Sequence, residues 1–372
     1  MKLKHFYILV AGLLTAVILG VGIWYLWRHQ MLPDIHILSG SGSAEEVVEK
    51  ADSTPTPEPT PEPTPGIFTI SMIGDCTLTS GQYDDHFESV LQEHDLSWPF
   101  SGTVNYLSND EFTLANLECT FSDTALSSGV LFQFRGPAAN AQILSSGSVE
   151  CVTMGNNHTT DFGQQGILDT QAALEAAGVW YDGPGEARLY ETKNGLKVGV
   201  YCPGWLGLSE ANIQSGIAQL KDLSADVIIF APHWGMEGSY QVTAMQEQFA
   251  HVAIDAGADI VCGTHPHVLQ RVEEYNGKYI FYSLGNYSFG GNTQPRDRDT
   301  VIAQVTIQEQ KDGSYALAGY NLIPCCLSST ENINDYCPVP YNAESEDYAR
   351  AMSKLNGTFE GADLTVDYSF LN

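Results

Sequence analysis

The sequence predicts an α/β domain held behind a membrane-spanning segment and an extended tether. Three observations predict it. From Ile67 onward, short apolar runs of strand length alternate with longer amphipathic stretches, the pattern of strands joined by helices. Four histidines, His158, His233, His265 and His267, follow the ends of such runs. Phe6 to Trp27 contains no charged residue over 22 positions.

That N-terminal run is long enough to cross a hydrocarbon core of about 30 Å. Lys2 and Lys4 precede it, and Arg28 with His29 follow. A cleaved signal peptide is the alternative, but its apolar region usually spans about 7–15 residues before a small-residue site. Trp24-Tyr25-Leu26-Trp27 does not match one. The expectation is therefore an anchor over residues 1–28, an N-terminus in the cytoplasm and the body outside it. Residues 29–66 form a tether. Its Thr54–Pro65 repeat alternates proline with threonine and glutamate, which favours extended polyproline II at about 3.1 Å per residue.

The domain spans 67–372. Phe68–Ile73 alternates and reads as a strand ending at Gly74-Asp75. Phe112–Leu117 is a second, ending at Glu118, and Val149–Met154 leads into Gly155-Asn156-Asn157-His158. Gln164–Ala177 has helical spacing with Gly178 as its stop,. Leu196–Tyr201 and Asp226–Phe230 are strands, and the second runs into Pro232-His233. Val242–Ala256 is an amphipathic helix closed by Gly257. Asp259–Cys262 opens onto Gly263-Thr264-His265-Pro266-His267, and Tyr279–Ser283 precedes Leu284-Gly285-Asn286-Tyr287. Val301–Ile307 and Ala316–Leu322 alternate as antiparallel strands would, at a sheet edge or in a second sheet,.

Charge narrows the function. The chain carries 45 acidic and 16 basic residues; from Ile67 onward there are 38 and 12, a difference of 26. Nucleic acid is excluded as a partner, because phosphate backbones are bound by clustered Lys and Arg. Cys76, Cys119, Cys151, Cys202 and Cys262 lie in or beside apolar runs, as buried small hydrophobes do. Only Cys325, Cys326 and Cys337 cluster in a loop-rich region, where a bridge to Cys337 is expected.

His, Asn, Asp and Glu are ligands for divalent metals of hard to borderline character, and residues at the carboxyl ends of strands in an α/β sheet share one crevice. His265 and His267 sit on a proline-braced turn that can aim both rings at one side. Asn157 offers a carbonyl oxygen, and His158 beside it suits a proton donor near neutral pH; an asparagine turn capping the next helix is the alternative. For His233 the alternative is a satisfied core histidine, and for Asp75 and Glu118 a turn cap. Arg135 suits an anion contact or a surface ion pair. No role is expected for His5, His29, His36, His86, His94 or His251.

Taken in order, Gly74-Asp75, Asn116-Leu117-Glu118, Phe134-Arg135, Asn156-Asn157-His158 with Asp161, His233-Trp234-Gly235 with Glu237, Gly263 to Gln270 and Ser283-Leu284-Gly285-Asn286 resemble the poly-γ-glutamate capsule biosynthesis protein family CapA. That family's domain looks like the calcineurin-type metallophosphoesterases, which implies a two-sheet sandwich flanked by helices over about residues 67–325. The resemblance implies that Asp75 and His267 serve one metal, Asn157, His233 and His265 a second, and Glu118 bridges them. His158 is then the acid, and Arg135, Asn156 and Glu237 face substrate. One or two ions of Mn, Zn or Fe suit this set.

One departure matters. The phosphoesterase pattern begins Asp-x-His, whereas this chain has Asp75-Cys76-Thr77. Two functions therefore follow as expectations. One is a metal-dependent hydrolase of a phosphoester or anionic surface polymer. The other is a non-catalytic metal- or polymer-binding subunit of a membrane synthase or export complex.

Overall fold

The computed structural model describes residues 66–365 apart from Tyr83. The expected anchor and almost all of the tether lie outside the described residues. Among those described, no helix is long and apolar enough to cross a membrane.

Sixteen strands appear among the described residues. They are β1 (Ile67–Thr77), β2 (Phe112–Leu117), β3 (Thr120–Phe121), β4 (Arg135–Gly136), β5 (Cys151–Thr153), β6 (Trp180–Asp182), β7 (Glu186–Glu191) and β8 (Lys197–Cys202), followed by β9 (Val227–Phe230), β10 (Ile260–Cys262), β11 (Val272–Tyr275), β12 (Lys278–Phe281), β13 (Asn286–Phe289), β14 (Asp299–Glu309), β15 (Tyr315–Cys326) and β16 (Val339–Pro340). The first sheet runs β16-β15-β14-β1-β2-β5-β6, with β13 also paired to β1. The second runs β11-β12-β10-β9-β8-β7, and β3-β4 is a small ribbon. β1, β2, β5 and β6 are parallel, as are β8, β9, β10 and β12.

The period-2 alternation of strand side chains explains the layers. Ile70, Met72, Phe112 and Leu114 of the first sheet pack with Val198, Val200, Val227, Ile229 and Ile260 of the second, so the sheets lie face to face. The next residue along often points the other way. Ile73, Ala115, Leu117 and Val152 pack outward with Phe87, Phe100, Ile143 and Leu174 of the helical layer. Ile228, Phe230, Val261 and Ile280 pack outward with Ile213, Ile217, Ala250 and Ile254. The result is helices, sheet, sheet, helices.

Several expectations need correction. Asp75 does not end its strand: β1 continues to Thr77 with an irregular register between Asp75 and Thr77. Backbone closeness makes this bend possible. A Cβ on Gly74 would lie 1.9 Å from the Gly285 carbonyl oxygen, which instead accepts from Asp75 N at 2.9 Å,. As expected, β14 and β15 extend the first sheet toward one edge, β14 antiparallel to β1 and β15 antiparallel to β14. Helices Glu210–Asp222 and Glu346–Leu355 were not anticipated; they are amphipathic but more polar overall than the two expected helices, so their apolar residues are sparse. The two expected helices match closely, at Gly163–Ala177 closed by Gly178 at φ 74° and at Ala244–Ala256 with a Thr243–Gln246 capping box,. All eight cysteines are thiols, so the bridge expected at Cys337 is not formed.

Candidate metal centre

The parallel strands of both sheets deliver their carboxyl ends to one place. Asp75 comes from β1, Glu118 directly follows β2, and Asn156, Asn157 and His158 follow β5. His233 follows β9, and His265 and His267 follow β10. Asn286 opens β13, in register with Asp75. This is the crevice that α/β sheets form where strands end, here shared between two sheets.

Glu118 is the centre of the arrangement. It is fully buried, and neither side-chain oxygen has a hydrogen-bond partner. Three imidazole nitrogens face its Oε1: His233 Nε2 at 3.7 Å, and His158 Nε2 and His267 Nε2 each at 3.8 Å. Burial first, and Asp75 second, raise the Glu118 pKa well above the carboxylate range, with His267 opposing. A buried carboxylate without a partner is costly, and cations are what such a carboxylate accepts. Glu118 forms compact groups with His265 and His267 and with Asp75 and His233, all ligand atoms within 4.8 Å of one another. These groups cut across the division that the resemblance implies, because the cluster is one constellation around Glu118.

Other contacts retain part of that division. His233 Nε2 lies 2.8 Å from Asn157 Oδ1 and 3.1 Å from His265 Nδ1. On the other side, His267 Nδ1 lies 3.2 Å from Asp75 Oδ2 and 2.8 Å from Asn286 Oδ1. Metal–ligand bonds of about 2.0–2.2 Å leave neighbouring ligand atoms roughly this far apart.

Electrostatics favours the same use for two of the rings. Burial and the neighbouring His265 and His267 rings hold the His233 pKa well below its ordinary value. Burial and His267 push His265 down to about 4. Both are therefore neutral at physiological pH, with a lone pair to offer a metal. At His267 burial opposes protonation, but Glu118 and Asp75 outweigh it and raise the pKa to about 10.

The loops are shaped to hold these rings. His265 has φ 100° and His267 φ 58°, the left-handed region that non-glycine residues avoid. His265 N donates to Asp75 Oδ2 at 3.3 Å, and the Trp205 ring covers His265 at 4.6 Å. His158 Nδ1 sits 2.8 Å from Asp161 Oδ2. A carboxylate only accepts, so Nδ1 carries hydrogen and Nε2 is left to exchange a proton.

Placement differs for the residues expected at substrate. Glu237 lines a cavity beside His158, Asp161 and His267. Asn156 is consumed in scaffolding: its Nδ2 donates to Asn116 Oδ1 and to the Leu117 carbonyl, and its Oδ1 accepts from His158 N. Arg135 donates to the Ala125 carbonyl at 2.5 Å and lies 5.3 Å over Phe162, spent on its own loop. His251, for which no role was expected, lies 2.8 Å from Glu273 and stacks on Tyr275.

Sequence reasoning assigned no role to Asp161, Asn116, Asn286 or Trp205. Asn116 donates to Asp75 Oδ1 at 2.8 Å. The i, i+3 spacing of His158 and Asp161 could have signalled their pairing; Trp205, in a Pro-Gly loop, carried no signal.

A family model described as "Bacterial capsule synthesis protein PGA_cap" matches residues 69–204 and 184–290, more than half of the chain. The chain is 26% identical over 272 residues to the capsule biosynthesis protein CapA of Bacillus anthracis, covering 65% of this chain and 64% of that protein. It is 30% identical over 198 residues to the PGA biosynthesis protein CapA of Bacillus subtilis (strain 168), covering 47% and 52%. In both cases the match spans less than two thirds of the relative. Among solved structures, the Haemophilus influenzae NAD nucleotidase (NadN) aligns over 79% of this chain and 63% of its own, at 13% identity and a TM-score of 0.40.

Proposed function

The chain belongs to the bacterial capsule synthesis protein family PGA_cap, and on that premise we propose that it is a membrane-anchored, extracellular protein that helps to make, export or anchor an anionic capsule polymer of the poly-γ-glutamate type, through a metal-dependent hydrolytic centre of the metallophosphoesterase kind. The observation that carries the centre is the buried, unpartnered Glu118 carboxylate facing three imidazole nitrogens. The uncharged run Phe6–Trp27 supports the anchor,.

Asp75, Glu118, Asn157, His233, His265 and His267 would hold one or two divalent ions. Such ions supply Lewis acidity toward a phosphoryl or carbonyl oxygen. The chain's own residues do the rest. Asp161 fixes the His158 tautomer, and His158 Nε2 gives its proton to the departing oxygen,. Asn156 fixes the loop that presents His158. Asn116 and the His265 amide hold the two Asp75 oxygens in place.

A second reading is favoured by one observation. Thr77, where the phosphoesterase pattern has histidine, gives its hydroxyl to the Glu118 backbone carbonyl at 3.1 Å. A centre short of a ligand suits a non-catalytic subunit of a membrane synthase complex. Elemental analysis of the full chain after reconstitution with Mn²⁺, Zn²⁺ or Fe²⁺ separates the readings. About one or two ions per chain, lost in His265→Ala and kept in His158→Ala, justify a phosphoester and polymer hydrolysis screen. No bound ion would sink the catalytic mechanism.

A further inference from the structure

Basic side chains are scarce: twelve from Ile67 onward, against 38 acidic. Four of the twelve, Arg296, Arg298, Arg350 and Lys354, line a single cavity of about 790 Å³. Two of them are already neutralised. Arg350 pairs with Asp299 at 2.6 Å, and Lys354 with Asp297 and Asp299 at 2.7 Å each. Arg296 and Arg298 are different. Arg296 donates to the Leu364 carbonyl, and Arg298 to the carbonyls of Thr330 and Glu331. Among the described residues neither pairs with a carboxylate, and Arg298 Nε is buried with no hydrogen-bond partner. Backbone carbonyls orient a guanidinium without cancelling its charge.

This cavity does not stand alone. It shares Arg296, Asp297 and Leu364 with a smaller one of about 120 Å³, which reaches Glu237, His267 and Asn286. That one shares Glu237, His267 and Asn292 with a third, of about 600 Å³, bounded by His158 and Asp161. Shared lining residues place the three in succession from the arginines to the metal-ligand cluster. Asp297, midway, is paired with Lys354, which it shares with Asp299. On the other flank of Asn157, a cavity of about 590 Å³ around Trp205 and Tyr201 has no charged side chain in its lining. Glu331 and Asp347 also line the arginine cavity, so what sets Arg296 and Arg298 apart is that no described carboxylate pairs with them directly.

We propose that this run of cavities is a binding track for a carboxylate-bearing polymer, with Arg296 and Arg298 holding its carboxylates while the chain passes His267 toward His158. The track rests on the reading of the protein as one that handles an anionic polymer. It also answers how so acidic a domain approaches one: long-range repulsion is offset locally by two guanidiniums that, among the described residues, form no ion pair with a carboxylate. Guanidinium groups bind carboxylates in a paired, directional geometry.

The test is titration calorimetry of the full chain with oligo-γ-glutamate and with oligogalacturonate, a carboxylate polymer on a sugar backbone. Each is measured at low and high salt, with elemental analysis alongside. Arg296→Ala/Arg298→Ala should weaken binding roughly tenfold or more and flatten its salt dependence, with metal content unchanged. Arg296→Lys/Arg298→Lys should restore part of it. Should the double variant fold poorly, Arg296→Ala alone spares the Arg298 contacts and should still weaken binding severalfold. Equal affinity in wild type and a folded variant overturns the track, as does a wild type that binds neither polymer. Arginine-dependent binding of galacturonate alone keeps the track and removes the polyglutamate reading.

Discussion

His267 Nε2 stands 3.8 Å from Glu118 Oε1, too far for a hydrogen bond yet close enough for each charge to govern the other. His267 is raised to about 10 against the effect of its own burial. Glu118, inside the same protein-lined cage, has every reason to bind a cation and no side-chain partner to satisfy it. An array that is costly without a metal and satisfied with one couples binding to stability.

Glu118→Gln should therefore separate the two effects. Metal-free, the variant should melt at or above wild type, because it removes a buried unpartnered carboxylate worth about 1–3 kcal/mol. With metal present, wild type should gain stability and the variant should not. Thermal melts in chelator and in Mn²⁺ check this. A metal-free variant that melts far below wild type would make Glu118 a structural residue.

His158→Ala should keep the metal and lose roughly 10²–10⁴ of any hydrolytic rate. Asp161→Asn should behave similarly, because Asp161 Oδ2 at 2.8 Å fixes the ring tautomer,. Steady-state rates on a phosphoester probe, with metal content alongside, decide the matter. Loss of metal in either variant would move His158 into the ligand set.

Glu150 offers a pH test remote from the centre. Its carboxylate accepts from Thr113 N at 2.8 Å, and burial, then Asp110, raise its pKa from 4.5 to about 7. The fold holds this proton more tightly than the unfolded chain does. Stability from the group is thus full below about pH 4.5 and declines as pH rises toward 7. Glu150→Gln keeps the acceptor and should stabilise the protein at pH 8, by on the order of 1 kcal/mol given partial solvent contact, with no gain at pH 4. Urea unfolding at the two pH values is the measurement; an equal gain at both would refute the electrostatic cause.

Lys354 is buried and bridges Asp297 and Asp299. Lys354→Ala leaves two buried carboxylates short of a partner, at a cost of about 3–5 kcal/mol in urea unfolding at pH 7. Burial opposes ionisation of Asp299, but Arg350 and Lys354 outweigh it and lower its pKa. The wild-type contribution is present above the ordinary aspartate range and lost as pH falls through the lowered value. The gap between wild type and variant should therefore shrink in acid.

The strand–helix alternation, the helices Gly163–Ala177 and Ala244–Ala256 and most of the clustered residues were legible because each depends on local pattern. Val227–Phe230 and Ile260–Cys262 are short apolar runs that end at a histidine motif, a signal contained within a few residues. Arg135 and Asn156 were expected at substrate because a polar residue in a motif looks the same whether it faces a cavity or braces a loop. Only their partners, Ala125 for Arg135 and Asn116 with Leu117 for Asn156, tell the difference.

The sequence by itself determined the α/β class, the acidic surface and which residue types gather at strand ends, since side-chain periodicity and composition are properties of neighbouring positions. Tertiary structure decided the rest. It brought His265 to Asp75 across 190 positions, turned His265 and His267 into left-handed backbone, and joined the Arg296 cavity to His267. These depend on how parallel strands register through crossovers and how two sheets face each other, and no local pattern encodes that geometry.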